Sequence, residues 1–170
     1  MKLFDPIKIE KIIHSETEQL LEISEEFGLA IWNESDYQIE IDRKESFIVG
    51  AKKEENLLGF ILVRFILSTT LDKSSESEAD ILNIGVRKKH QKKGIGNLLL
   101  KSFLIKAQTL GIQSVWLEVR KSNDNARQFY HRKGFIEIQE RKGLYANPSE
   151  NAIVMKLQLT ELAKNLENKT

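Results

Sequence analysis

The chain has 170 residues, with 26 Lys plus Arg against 25 Asp plus Glu and no cysteine. That length is enough for one domain with a substantial core, and the near-zero net charge argues against a general nucleic-acid binder. The lack of cysteine excludes a disulfide framework, a thiolate nucleophile and Cys-based zinc sites. His14, His90 and His131 are scattered and do not resemble a metal set. The longest apolar stretch, Leu57 to Leu67, is broken by Gly59 and Arg64 and is too short to span a bilayer. No charged-then-apolar signal pattern opens the chain, so a soluble cytoplasmic protein is expected.

In chain order, Ile7 to Ile13 reads as a first strand. Ser15 with Glu18 has the pattern of a capping box, and Leu20, Ile23 and Phe27 supply a helical stripe that ends at Gly28. Ser35 with Gln38 offers a cap for a second short helix, although Ile39 and Ile41 alternate as in a strand. Ser46 to Ala51 and Leu57 to Leu67 read as hairpin strands around the polar turn Lys52 to Asn56. Thr69 to Glu78 is polar and acidic, a loop before the apolar strand Ile81 to Val86. Asn97 to Ala107 has helical spacing, Val115 to Arg120 reads as a buried strand, and Asp124 to Lys133 as a helix stopped by Gly134. Ile136 and Ile138, then Ala152 to Leu159, supply two more strands. The order predicts an α/β (α+β) fold, one mixed, mostly antiparallel sheet flanked by helices. A single domain over residues 1–160 is expected, followed by a polar tail at 161–170.

The most informative segment joins the strand ending at Val86 to the helix after it. Between them lies Arg87-Lys88-Lys89-His90-Gln91-Lys92-Lys93-Gly94-Ile95-Gly96, with five Lys or Arg among the seven residues Arg87 to Lys93. A strand that feeds a glycine-containing turn opening a helix aims several N–H groups and the positive end of a helix dipole at one spot. Gly94 and Gly96 let the backbone approach a ligand closely. Such a site suits a pyrophosphate. A P-loop needs G-x-x-x-x-G-K-[ST], which is absent, and a dinucleotide fingerprint needs a third glycine where Leu99 stands. The pattern that fits is Q/R-x-x-G-x-G/A, read as Gln91-Lys92-Lys93-Gly94-Ile95-Gly96. A capped helix beside a solvated lysine cluster is the structural alternative.

That hexapeptide resembles the acetyl-CoA loop of the GNAT N-acetyltransferases. The segment Trp116 to Phe135, W-L-E-V-R-x-S-N-x-x-A-x-x-x-Y-x-x-x-G-F, is similar to the second half of the GNAT core, most of all in the ribosomal-protein-alanine N-acetyltransferases, which modify protein N-termini. The resemblance runs over residues 79–157. It implies a GNAT-like fold, acetyl-CoA as acetyl donor without a metal, and an amine acceptor, possibly the N-terminus of a ribosomal or other protein, with no membrane and no direct nucleic-acid partner. It implies that Gln91, Lys92, Lys93, Gly94, Ile95, Gly96 and Asn97 meet the cofactor's pyrophosphate. Ile84, Gly85 and Val86 pair with its pantetheine through backbone groups, Gly85 standing where relatives usually carry Ala. The amide of Asn123 would hydrogen-bond the cofactor's pantetheine or pyrophosphate arm, unless Asn123 is the N-cap of the following helix; Ser122 could serve as cap and leave it free. Arg87, Lys88 and Lys89 are expected to face solvent or an adenosine 3′-phosphate.

Acetyl transfer from a thioester needs a neutral amine, donors for the developing oxyanion and a proton for the departing thiolate. With no cysteine in the chain, direct attack by the amine is the economical route. Glu118, in Leu-Glu-Val, is the candidate base by strand position and by resemblance; otherwise it is a surface glutamate. Asp80, at the start of the central strand, competes for that task. Tyr130 is the candidate general acid: a phenol with pKa ~10 is protonated at neutral pH and can donate to a thiolate whose acid lies near ~8.5. Its structural alternative is a core aromatic beside Phe129. Trp32, Tyr37 and Tyr145 are candidates to line an acceptor groove. Relatives acting on the ribosomal substrate carry a Phe-Pro-Trp-like element and paired tyrosines, whereas Ala30-Ile31-Trp32 lacks the proline and Gly143-Leu144-Tyr145 has one tyrosine. Small amines, polyamines, aminoglycosides and lysine side chains therefore stay open as acceptors, as does a non-catalytic acetyl-CoA-binding module.

Overall fold

Strand β1 (Lys8–Lys11) pairs antiparallel with β2 (Ser46–Lys53), which folds back on β3 (Asn56–Ile66). These relations come from a computed structural model, which describes residues 6–27, 32–68 and 76–159. The hairpin turn is tighter than expected, because Lys52 and Lys53 join the ladder opposite Leu57 and Asn56. Glu54, at φ 54°, carries the reversal. Further along come β4 (Glu78–Val86), β5 (Ser114–Arg120), β6 (Ile136–Ala146) and β7 (Ser149–Gln158), giving a seven-stranded sheet of order β1-β2-β3-β4-β5-β7-β6. Between β4 and β5 the pairing is parallel. A parallel joint needs a crossover, and helix α3 (Ile95–Thr109) provides it. The mixed α/β fold is as expected. No helix among the described residues is long and apolar enough to cross a membrane.

Two helices start differently from the sequence reading. Helix α1 (Thr17–Glu26) follows a short 3-10 turn, His14–Glu16. Its entry is fixed by the Glu16 carboxylate, which accepts the Ile13 N–H at 2.9 Å, and not by a Ser15–Glu18 box. Helix α2 (Glu34–Asp42) is capped by Asn33, whose Oδ1 accepts from Asp36 N–H at 3.1 Å while the Asp36 carboxylate accepts the Asn33 N–H at 2.8 Å. The reciprocal cap thus falls on Asn33 and Asp36, ahead of Ser35 and Gln38. Ile39 is exposed whereas Tyr37 and Ile41, four apart, are buried, so helical and not strand-like spacing decides this segment. Gly28, most of the Thr69–Glu78 loop and the expected tail lie outside the described residues.

The chain forms two compact units. The first is Met1–Phe65 with Leu82–Ala107, the second Ile66–Ile81 with Gln108–Thr170. In the first, the hairpin buries both faces. Ile48, Phe60 and Leu62 pack with Leu20 and Ile23 of α1 and Tyr37 and Ile41 of α2. On the opposite face, Phe47 and Phe65 each stand 6.2 Å from Phe103 of α3. That two-sided burial is why residues 57–65 read as one continuous apolar run. In the second unit, β7 lies between β5 and β6, and α4 (Asp124–His131) packs through Tyr130. Gly134, at φ 90°, ends the turn after α4 as expected, with Phe135 buried behind it.

Candidate active site

The strand–turn–helix segment in the first unit has the predicted form. Val86 ends β4, a 3-10 turn covers Lys88–His90, and α3 opens at Ile95. Lys92 and Gly94 take positive φ values of 56° and 85°. The first backbone bond of α3 runs from Leu98 N–H to Gly94 C=O at 3.1 Å. The N–H groups of Ile95, Gly96 and Asn97 precede that bond and are first-turn donors without a helical acceptor. Gln91, Lys92, Lys93, Gly94 and Asn97 are exposed, and a side chain at Gly94 would meet nothing within 4 Å. An open, cationic turn whose first N–H donors have no acceptor among the described residues is suited to an anion such as a phosphate. Gln91 donates from Nε2 to the Val86 carbonyl at 3.2 Å and Lys93 from Nζ to the Lys89 carbonyl at 3.0 Å, so both brace the turn. Partial burial, then the charges of Lys93, Lys89 and Arg87, hold the His90 imidazole below its usual pKa.

Arg87 departs from the expectation that it faces solvent or a phosphate. Its Nε donates to the Leu57 carbonyl at 2.8 Å, and its guanidinium pairs with Glu22 at 2.6 Å and Glu26 at 3.5 Å. The Lys88 N–H donates to Glu26 at 2.8 Å. Arg87 thus ties the end of β4 to α1 and β3. Close by, the Ile84-Gly85-Val86 backbone passes Gly59 of β3, where an added Cβ would lie 2.6 Å from the Gly85 carbonyl oxygen.

The second unit holds both candidate catalytic side chains. Glu118 lies on the exposed face of β5 opposite Val154, and its Oε1 accepts from the Nη1 of Arg141 in β6. Two positions along, Arg120 lies opposite Ala152, pairs with Glu150 at 3.2 Å and stacks 4.2 Å from the centroid of the Tyr145 ring. Partial burial, followed by the charge of Glu118, pushes the Tyr145 hydroxyl above its usual pKa, with Arg120 opposing. Tyr130 is buried, its ring 5.3 Å from Phe129 and 5.4 Å from Phe135. Burial, then the neighbouring Tyr145, raises the Tyr130 hydroxyl well beyond the ordinary tyrosine value. It is thus a firmly protonated donor, and a weaker acid than a phenol in water.

Asn123 caps α4: its Oδ1 accepts the Ala126 N–H at 3.1 Å. Ser122 is not the cap; its N–H donates to Glu150. Asp80 is the third residue of β4, half-buried and opposite Trp116. Its neighbour Glu78 accepts from Ser114 Oγ and Trp116 Nε1, both at 2.9 Å. Tyr37 is fully buried, bonded to Ser24 at 2.6 Å and Asn83 at 3.0 Å, and Trp32 packs 5.3 Å from it. Full burial takes Tyr37 away from any groove surface, whereas Trp32 is half-buried. Arg141, Arg120 and Glu150 were not singled out from sequence. Their neighbourhood depends on β7 entering between β5 and β6, which no local pattern announces.

The fold is that of one recognisable class of protein. The family model described as Acetyltransferase (GNAT) family matches residues 17–135, and the chain belongs to that family of enzymes. Over 151 residues it is 34% identical to the [ribosomal protein bS18]-alanine N-acetyltransferase of Haemophilus influenzae, covering 86% of this chain and 95% of the relative. The protein of the same description from Haemophilus ducreyi is 31% identical, with 89% and 99% covered. Among solved structures, the ribosomal-protein-S18-alanine N-acetyltransferase of Escherichia coli superimposes with a TM-score of 0.75 at 24% identity, over 90% of this chain and 94% of that one. Arabidopsis thaliana NAA60 in complex with acetyl-CoA gives 0.81 at 17% identity, over 91% and 99%. At those identities the structures speak to the fold alone.

Proposed function

We propose that this enzyme moves an acetyl group from acetyl-CoA to the α-amine of a protein N-terminus, with residues 1–160 acting as one catalytic domain in the cytoplasm and a ribosomal protein as the leading acceptor. The observation that carries the reading is Glu118, an exposed carboxylate in the strand context that the family motif assigns to the base. The near-full-length likeness to the two Haemophilus enzymes supports the acceptor. The turn Gln91–Gly96, with Asn97, receives the pyrophosphate through its N–H groups and lysines. Ile84, Gly85 and Val86 bind the pantetheine through main-chain groups, as an added strand would, and Asn123 donates to the same arm from Nδ2. Acetyl-CoA supplies the activated acyl group. The amine nitrogen forms the new bond to the acyl carbon as the carbon–sulfur bond breaks, Glu118 collects the amine proton through water, and Tyr130 donates towards the sulfur. An α-amine, with pKa ≈ 7.7–8.0 against ≈ 10.4 for lysine, suits a single carboxylate base of this kind.

Thiol release from acetyl-CoA, measured over a panel of N-terminal peptides, lysine, polyamines and aminoglycosides, tests the acceptor; peptides with a free α-amine are expected to lead. Inert peptides beside reactive small amines would overturn the N-terminal reading and leave the acetyl-CoA chemistry. Glu118→Gln should depress turnover strongly near neutrality and recover in part as rising pH deprotonates the amine. Asp80→Asn should do less, and the reverse order moves the base to β4.

A further inference from the structure

The β6–β7 pairing carries a register shift beside the candidate base. Arg141 faces Ala152 and Tyr145 faces Glu150, so β6 inserts extra residues between them. Such a bulge bends a strand and re-aims its side chains. Gly143 in this insertion takes φ 62°, and its N–H donates to Asn151 Oδ1 at 3.0 Å. Asn151 in turn donates to Glu140, whose carboxylate also takes Lys121 Nζ at 3.0 Å. This polar bracing fixes Arg141 opposite Ala152, and Arg120 flanks Ala152 from the other side. Directly opposite residues of an antiparallel pair share a sheet face. Arg141 therefore stands on the face of Glu118, one diagonal step away.

The contact itself is unusual for an arginine placed for stability. A guanidinium that grips a carboxylate for strength takes both oxygens through its fork. Here Nη1 alone meets Oε1, and Oε2 has no partner among the described residues. With side-chain exposures of 52% for Arg141 and 34% for Glu118, the pair adds little to folding, as solvent-exposed ion pairs do. It does fix the carboxylate. A glutamate side chain on a strand has three rotatable bonds, and pinning one oxygen removes most of its wander.

We infer that Arg141 is a positioning residue for Glu118, holding Oε1 so that Oε2 is presented to the water that relays the acceptor amine's proton. The inference rests on the reading of Glu118 as the base. Small misplacements of a reacting group lower rates steeply, so Arg141→Ala should reduce kcat roughly 10–100-fold, with acetyl-CoA affinity and melting temperature nearly unchanged. Arg141→Lys should recover part of the rate, since it keeps the charge and loses the planar donor.

A double-mutant cycle decides the matter, because residues acting through one another are non-additive. Once Glu118→Gln has removed the base, Arg141→Ala should cause no further loss in kcat. Multiplying losses in the double variant, or a damaged Glu118→Gln enzyme beside an unimpaired Arg141→Ala enzyme, overturns the positioning role alone. Near-normal turnover by Glu118→Gln overturns the base assignment, and the role of Arg141 falls with it. Should Arg141→Ala fold poorly, Arg141→Gln keeps a polar, shorter side chain without the charge and is read in the same cycle.

Discussion

A Cβ on Gly59 would stand 2.6 Å from the carbonyl oxygen of Gly85, closer than real Cβ atoms come to backbone. Strand β3 thus holds β4 at a distance that only a glycine permits, and the part of β4 so held is the part assigned to the pantetheine. Gly59→Ala should destabilise the fold by ~1–3 kcal/mol, the usual scale of overpacking, and weaken acetyl-CoA binding by displacing Gly85 and Val86. Chemical denaturation and calorimetry read the two effects separately. Unaltered affinity in a destabilised variant would detach this strand from cofactor binding.

Gly94 offers a charge test free of crowding. Asn and Asp tolerate the left-handed region nearly alike, and nothing among the described residues lies within 4 Å of the position a Cβ would take. Gly94→Asn should therefore leave acetyl-CoA affinity largely intact. Gly94→Asp should lower it at least ~10-fold through repulsion of the phosphates. Equal effects from the two would take the pyrophosphate away from this turn.

For Tyr130, the phenylalanine variant retains the packing against Phe129 and Phe135 and removes only the hydroxyl. Loss of a general acid lowers turnover by typically ~10²–10⁴-fold, so kcat should fall on that scale while acetyl-CoA affinity holds. Near-normal turnover, with chemistry confirmed as rate-limiting, would return Tyr130 to the core.

The three tyrosines of the chain, Tyr37, Tyr130 and Tyr145, are all pushed above their ordinary pKa, in each case by burial first. A folded pKa above the unfolded one means stability that is complete below pH ~10 and drains away as pH climbs through the folded values. Ultraviolet titration should show less tyrosinate at pH ~10 than free tyrosine, which is half ionised there. Ionisation should then rise together with loss of near-ultraviolet dichroism. Smooth titration near pH ~10 in a protein that stays folded would contradict the burial of these hydroxyls.

Much of this fold was legible because the chain keeps its periods clean. Val115 to Val119 and the run from Leu57 to Phe65 are apolar enough to declare strands, and Ile95 to Thr109 keeps helical spacing throughout. Helix starts were read less well. Ser15 and Ser35 looked like caps, but side chains one or two residues away, Glu16 and Asn33, reached the orphan N–H groups first. The turn from Gln91 to Gly96 was legible because its chemistry is local. Arg141 was not, since its meeting with Glu118 is made by strand order and a bulge, two features that leave no mark in composition. Tyr37 looked like a groove aromatic and proved to be the hub of a buried hydroxyl–amide chain with Ser24 and Asn83. An aromatic residue in a polar stretch does not reveal which way it faces.

The cap at α4 has a consequence for how residues can be exchanged here. Asn123 spends its oxygen on the Ala126 N–H, and its nitrogen keeps a donor with no partner among the described residues. On the function proposed above, one end of this side chain serves the fold and the other the ligand. Aspartate caps a helix as well as asparagine does but has no hydrogen to give and carries a charge that phosphates and carbonyls reject. Asn123→Asp should melt where the parent melts and yet bind acetyl-CoA poorly. On that reading, the exchange of one amide nitrogen for oxygen would leave this enzyme folded and silent.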